Sequence, residues 1–266
     1  MTPRDLATAS AHRRFWFGFC YALGGVPAVL RSRRLLGLCA VPMAAHAAVF
    51  IAMAAVAFHY LRRLLALSSA HGWQNALWHL LLFAVFGTSL LVSLLLAGRI
   101  SSILCDPVYD LISEGAEALA AGRPVAPSVP WRSVPANLLR ELVSAVIALL
   151  LFGVGTLFIS LLGLVPVVGV VLNAVLGPLW TWWYVAHEYL SRSLGRHGLG
   201  ASARVSAILT NRAIAAGFGA AAWLLLFVPL SSPFIEVGAA RLHLMLAAHG
   251  LVPVRLPPEV RLRLLG

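Results

Sequence analysis

The chain has 266 residues, 61% of them hydrophobic and only 11% charged, and its mean hydropathy is +0.90. Soluble domains carry about 25% charged residues, so the composition excludes an ordinary soluble or disordered chain and points to an integral membrane protein. The net charge of +11 comes from 20 Arg, no Lys and nine acids; these Arg residues sit at the ends of apolar runs, as cytoplasmic flanks of membrane helices do, rather than on a soluble basic face that would suit nucleic acid.

In chain order, the first twelve residues are polar. Residues 13–30, "RRFWFGFCYALGGVPAVL", carry aromatic side chains suited to the bilayer interface. Gly24, Gly25 and Pro27 interrupt this stretch, which is expected to form an interfacial amphipathic helix rather than a span. No small-residue cleavage site follows it, so it does not read as a cleavable signal peptide. A bilayer core of about 30 Å needs roughly 20 apolar residues per helical crossing. The first such span is expected at about 35–60, between Arg34 and Arg62, and the second at about 76–98, ending at Arg99.

Residues 106–121 differ. Asp106-Pro107 reads as an N-cap followed by Pro at the first helical position. Val108, Leu111, Ile112 and Leu119 share one face, and Asp110, Glu114 and Glu117 share another. An amphipathic helix at the membrane surface or in the cytoplasm is expected. Its acidic row could bind a metal in principle, but a solvated helix face is the plainer reading. A Pro-rich connector, "GRPVAPSVPWRSVP", follows at 122–135.

Between Glu141 and Glu188 lie 46 residues (142–187) without a charged side chain, with Val165-Pro166-Val167-Val168-Gly169 near their middle. This length predicts two membrane-depth helices. The apolar turn favours a hairpin over about 138–190 whose tip stays in or near the membrane and whose feet share one side. Non-helical backbone at that depth is tolerated only where protein or a water-filled cavity covers it, so a pathway is a leading possibility. After a segment carrying Arg192, Arg196, Arg204 and Arg212, a second hairpin is expected at about 205–249, with arms 205–229 and 234–249 and the tip Pro229-Leu230-Ser231-Ser232-Pro233. Paired interrupted segments of this kind point to transporter binding regions. The whole reads as one membrane domain over 1–250 and a cytoplasmic tail at 251–266. With two spans and two returning hairpins, the Arg-rich segments other than Arg62-Arg63 fall on one side, so both termini are placed in the cytoplasm.

Among residues that could carry chemistry, Ser32, Arg33 and Arg34 stand out. Ser32 is a plausible N-cap, which puts both Arg in the first turn of the first span. A cation there opposes the helix dipole unless an anion joins it, held by N–H groups and guanidinium forks. Anchoring to anionic lipid heads is the alternative. Glu236 and Arg241, near the second tip, are candidates for a pathway or its gate, since intramembrane ionisable groups face bundle interiors or aqueous cavities; snorkelling to the interface is the alternative. The nine His form no H-E-x-x-H or close cluster, and Cys20, Cys39 and Cys105 are scattered. No metal, cofactor or catalytic motif is identified, and the chain does not read as an enzyme.

The order of motifs resembles the CysZ-type sulfate permease family, which takes in the etoposide-induced membrane proteins of eukaryotes. "FWFGFCY", an Arg pair before a span containing Pro42, "DPVYDLISEGAEAL", "RELV", "VPVVG", Glu188-Tyr189, "LTNRAIAAGFG", "VPL" and "GAARL" follow in family order over about 15–246. The resemblance, to a divergent member, implies an all-α membrane protein with two long transmembrane helices and two Pro-tipped, partly penetrating hairpins. It also implies passage of sulfate or a similar small oxyanion through a bacterial inner membrane for sulfur assimilation. In the family the anion is held near the start of the first long helix by a Gly-Leu-Arg-Arg-like motif, which carries over to Arg33 and Arg34; Arg31 and Ser32 stand where Gly and Leu would be. A non-transporting membrane scaffold is the other reading. The partners are then the anion and the lipid bilayer, with a homo-oligomer left open.

Overall fold

The computed structural model describes residue 6 and residues 8–66, 77–90, 104–123, 146, 150–165, 168–228, 230–254 and 256–265. The regular elements there are all helices: α1 (Ala11–Leu30), α2 (Arg33–Ala66), α3 (Leu77–Leu90), α4 (Asp106–Ala120), α5 (Leu150–Leu162), α6 (Val168–Arg196), α7 (Ala201–Thr210), α8 (Arg212–Leu226), α9 (Ser232–Ala248) and α10 (Pro258–Leu265). The chain divides into two compact units, Ala40–Asp106 and Met1–Cys39 with Pro107–Gly266. The expected Pro166 and Pro229 hairpin tips, most of the Pro-rich connector and the end of the expected second span at 91–98 lie outside the described residues.

Two helices are long and apolar enough to cross a membrane: Arg33–Arg63 within α2, and α6. The first matches the expected span. The second begins in the charge-free stretch and runs on past it to Arg196, whereas the span expected at 76–98 is described only as the shorter α3. In the smaller unit, Phe58 of α2 meets Phe86 of α3 with ring centroids 6.5 Å apart. Ile51, Val56, Phe58, Leu80 and Phe83 are exposed, which suits side chains facing hydrocarbon rather than water.

In the larger unit α1 packs along α8 and α9, and α8 also packs on α6. The helix expected at 13–30 forms as α1, which runs unbroken through Gly24, Gly25 and Pro27. Gly18, Ala22, Gly25 and Val29 are its buried residues, and their spacing of four, three and four forms one stripe on a helix. The glycines sit in that stripe because backbone comes against them. A side chain at Gly18 would overlap the Ile214 carbonyl, one at Gly25 the Phe234 carbonyl, and one at Gly217 the Phe15 carbonyl. Small residues at such crossings let helices approach closely.

Within the charge-free stretch, α5 and α6 lie against each other. Trp180 Nε1 donates to the Phe152 carbonyl at 3.2 Å, Phe152 stacks on Trp180 and Tyr184, and Gly155 fits beneath the Trp180 ring. The hairpin expected at about 205–249 differs in its first arm, which is not one helix over 205–229 but two, α7 and α8, bent by 95°. Asn211 makes the break: its Nδ2 donates to the carbonyls of Ala207 and Leu251, both at 2.9 Å, and its Oδ1 accepts from Arg14 at 3.1 Å. The segment after 250 also has structure. Val252 and Val260 are buried, α10 forms, and Arg261 Nε donates to the Ala248 carbonyl at 3.0 Å.

Candidate functional site

The junction of α1 and α2 has the geometry the sequence suggests. The Arg31 N–H bonds the Pro27 carbonyl at 3.2 Å and the Ser32 N–H bonds the Val29 carbonyl at 3.0 Å, closing α1. Ser32 then starts α2: its carbonyl accepts from the Leu36 N–H at 2.9 Å and its Oγ from the Leu35 N–H at 3.4 Å. Arg33 and Arg34 are the first two residues of α2, and both are exposed. Two cations thus sit at the positive end of a helix of 34 residues, an arrangement that an anion or anionic headgroup would stabilise.

Glu236 and Arg241 are not brought together. Arg241 Nη1 donates to the Gly24 carbonyl of α1 at 3.0 Å. Glu236, fully buried on α9, takes Arg192 of α6 on its Oε2 at 3.2 Å, while its Oε1 has no hydrogen-bond partner among the described residues. Burial pushes the Glu236 carboxyl up to about 7, against the opposing pull of Arg192. The Arg192 guanidinium also lies 5.0 Å from the centroid of the Tyr109 ring on α4, a cation–π distance.

One turn further along α6 the acidic row of α4 is drawn in. Glu117 is not on a solvated face: its Oε1 accepts from Arg196 Nη2, its Oε2 lies 3.3 Å from His197 Nε2, and its Oε1 lies 3.7 Å from His243 Nδ1 of α9. Arg196 Nη1 also donates to the Asp110 carbonyl at 3.1 Å. Glu114, by contrast, is exposed as expected. Burial raises the Glu117 carboxyl, but His197, His243 and Arg196 together outweigh it and hold the group at about 2. Burial lowers His243, with Glu117 opposing, so its imidazole is biased to the neutral form. Ser113 and Ser193 add a buried hydroxyl pair at 3.2 Å between α4 and α6. Two charge clusters, Arg192–Glu236 and Arg196–Glu117, therefore fasten α6 to α9 and to α4.

Sequence reasoning missed this layer because its members are far apart in the chain: Glu117 and His197 are separated by 80 residues. The usable signal was Arg192, Arg196 and His197 clustered at the end of a helix whose earlier turns carry no charge. Of the candidate metal ligands, Glu117, His197 and His243 place donor atoms within 4.8 Å of one another. No such grouping includes Asp110 or Glu114 among the described residues.

Residues 21–235 match the family described as Sulfate transporter CysZ/Etoposide-induced protein 2.4. No curated protein matches the chain. The matched region takes in the second half of α1 and runs to the start of α9, and so includes both long apolar helices, the α1–α2 junction and the Arg192–Arg196 segment. That family is of transporter type, not an enzyme family, and with two apolar helices of bilayer length the chain is an integral membrane protein. The match covers far more than half of the 266 residues, and the chain belongs to the CysZ/etoposide-induced protein 2.4 family.

Proposed function

We propose that the protein is a permease or channel for sulfate or a similar small oxyanion in a bacterial inner membrane, with both termini cytoplasmic, and that it supports sulfur assimilation. The observation that carries this reading is the pair of exposed guanidinium groups, Arg33 and Arg34, at the capped N-terminus of a bilayer-length helix, in a chain of this family. Ser32 and nearby N–H groups complete the shell for the anion, and Arg forks match tetrahedral oxyanions bidentately. Glu236, paired with Arg192, and Arg241, bonded to the Gly24 carbonyl, act at the pathway or its gate.

Sulfate flux into proteoliposomes containing only this protein tests the activity, and calorimetry in detergent tests the site. A charge-assisted hydrogen bond is worth about 1.5–3 kcal/mol, so Arg34→Ala is expected to weaken sulfate binding about tenfold to a hundredfold. Arg33→Lys is expected to weaken it as well, because an ammonium does not reproduce the fork. Arg62→Ala, at the far end of α2, is the control. Equal affinity in all the variants and the parent would reduce Arg33 and Arg34 to lipid anchors.

A second reading, a non-transporting membrane scaffold, is favoured by the way the buried charges are held in pairs instead of lining open space. A folded protein that binds sulfate but passes none would select it.

A further inference from the structure

Glu117, His197 and His243 come from three places in the fold: α4, the residue just beyond α6, and α9. Zn–N and Zn–O bonds of about 2.0–2.1 Å place the ligand atoms of a tetrahedral ion about 3.3–3.4 Å apart. The Glu117 Oε2 to His197 Nε2 separation of 3.3 Å matches such an edge; His243 Nδ1 lies 3.7 Å from the other carboxylate oxygen, Oε1, and one ligand atom from each of the three residues falls within 4.8 Å of the others. The 3.7 Å separation is too long for a hydrogen bond.

His243 supplies an independent observation. It is 1% exposed, yet neither ring nitrogen has a hydrogen-bond partner among the described residues. A buried polar group left without a partner is costly, and a metal bond at Nδ1 would remove half of that cost. His197 is exposed, which opens the group to ions from solvent. Arg196 holds Glu117 through Oε1 and so steers Oε2 toward His197, the outer-shell orientation that metal-binding carboxylates commonly have. Its charge is matched by that of Glu117 itself.

We propose that Glu117, His197 and His243 bind a divalent transition-metal ion of the Zn2+ class, which ties α4 to the end of α6 and to α9. Two imidazoles and a carboxylate, with a fourth position open to water, are a known zinc donor set. Mg2+ and Ca2+ favour all-oxygen shells and are not expected to compete. The site is separate from the Ser32–Arg34 junction and does not depend on the chain being a permease.

The test uses the full chain in detergent, purified with a tag free of histidine, stripped with a chelator and titrated with Zn2+ and Co2+. The expected results are one Zn2+ per chain, a rise in Tm with Zn2+, and visible d–d absorption from Co2+ that excess Mg2+ leaves in place. Losing an outer-shell partner alone costs roughly 10- to 100-fold in affinity, so removing a ligand in His197→Ala or Glu117→Gln should weaken Zn2+ binding by at least about 100-fold and abolish the Co2+ bands. His197 is exposed, so His197→Ala leaves the packing intact and decides the matter even where His243→Ala fails to fold. Equal Zn2+ affinity in His197→Ala and the parent, or no binding by the folded parent, would overturn the proposal.

Discussion

Buried titratable groups are where individual side chains have most leverage on this fold. Glu236 lies on α9, outside both candidate spans, and burial lifts its carboxyl from 4.5 to about 7 despite Arg192. A raised carboxyl binds its proton more tightly in the folded than in the unfolded chain, so stability is lost as pH rises from about 4.5 to about 7. Glu236→Gln removes that titration. Its apparent Tm should therefore gain on the parent's across this interval and run parallel above it, as thermal melts in detergent at stepped pH would record. Parallel curves throughout would mean that Glu236 stays ionised in the fold. The sequence marked Glu236 as special because a charge stood beside a predicted tip, but it named no companion for it. Arg241 is five residues away on the same helix, on a different face, and the partner 44 residues upstream is Arg192. Local spacing identifies which residue is costly to bury; only the packing of α6 on α9 says what compensates it.

At the scale of elements, apolar length was legible and helix crossings were not. The first span, the amphipathic α4 and the helical character of the charge-free stretch follow from where charges stop and start. Gly24, Gly25 and Pro27 counted against a span at 13–30 but did not show what they pack against, because a glycine that interrupts a helix and one that admits a neighbouring backbone look alike in sequence. Asn211 was hidden for a different reason: in Thr210-Asn211-Arg212 nothing local sets apart the polar residue whose amide bonds Arg14, Ala207 and Leu251. The glycine reading is directly testable. At Gly25 a Cβ would meet the Phe234 carbonyl and the Gly238 nitrogen, whereas at Gly37 of α2 it would meet nothing within 4 Å. Overpacking typically costs about 1–3 kcal/mol, so Gly25→Val should lower Tm markedly by prising α1 from α9. Gly37→Ala should leave Tm unchanged or raise it slightly, because Ala exceeds Gly in helix propensity by about 1 kcal/mol. Equal Tm values for the two variants would show that α1 does not dock through this stripe.

For the whole molecule, the remaining question is how a hairpin with one long arm sits in a bilayer. α6 has 29 residues, about 43 Å at 1.5 Å per residue, which exceeds a hydrocarbon core of about 30 Å. Its charge-free part, 168–187, takes up about 30 Å of that length, so an upright α6 would carry the turn before it to the far boundary of the hydrocarbon, yet that end is its most apolar. Leu164, Val165, Val168, Val170 and Val171 are all exposed, Leu164 by 75%, and no charge occurs from 142 to 187. Wetting this surface would cost about 25 cal/mol for each Å² of apolar area. At the other end of α6, the charges of Arg192 and Arg196 and the exposed His197 are expected to mark the aqueous foot. The helix is therefore expected to tilt, as over-long spans do, with the turn before Val168 kept in hydrocarbon. In a variant lacking Cys20, Cys39 and Cys105, a Val168→Cys substitution should react slowly with a membrane-impermeant maleimide from either side of a vesicle and readily with a lipid-soluble one. Gly200→Cys, exposed beyond α6 with nothing within 4 Å of an added Cβ, should react quickly and from one side only. Rapid labelling at Val168 by the impermeant reagent would mean that the turn is an ordinary loop in water and that α6 crosses the bilayer upright.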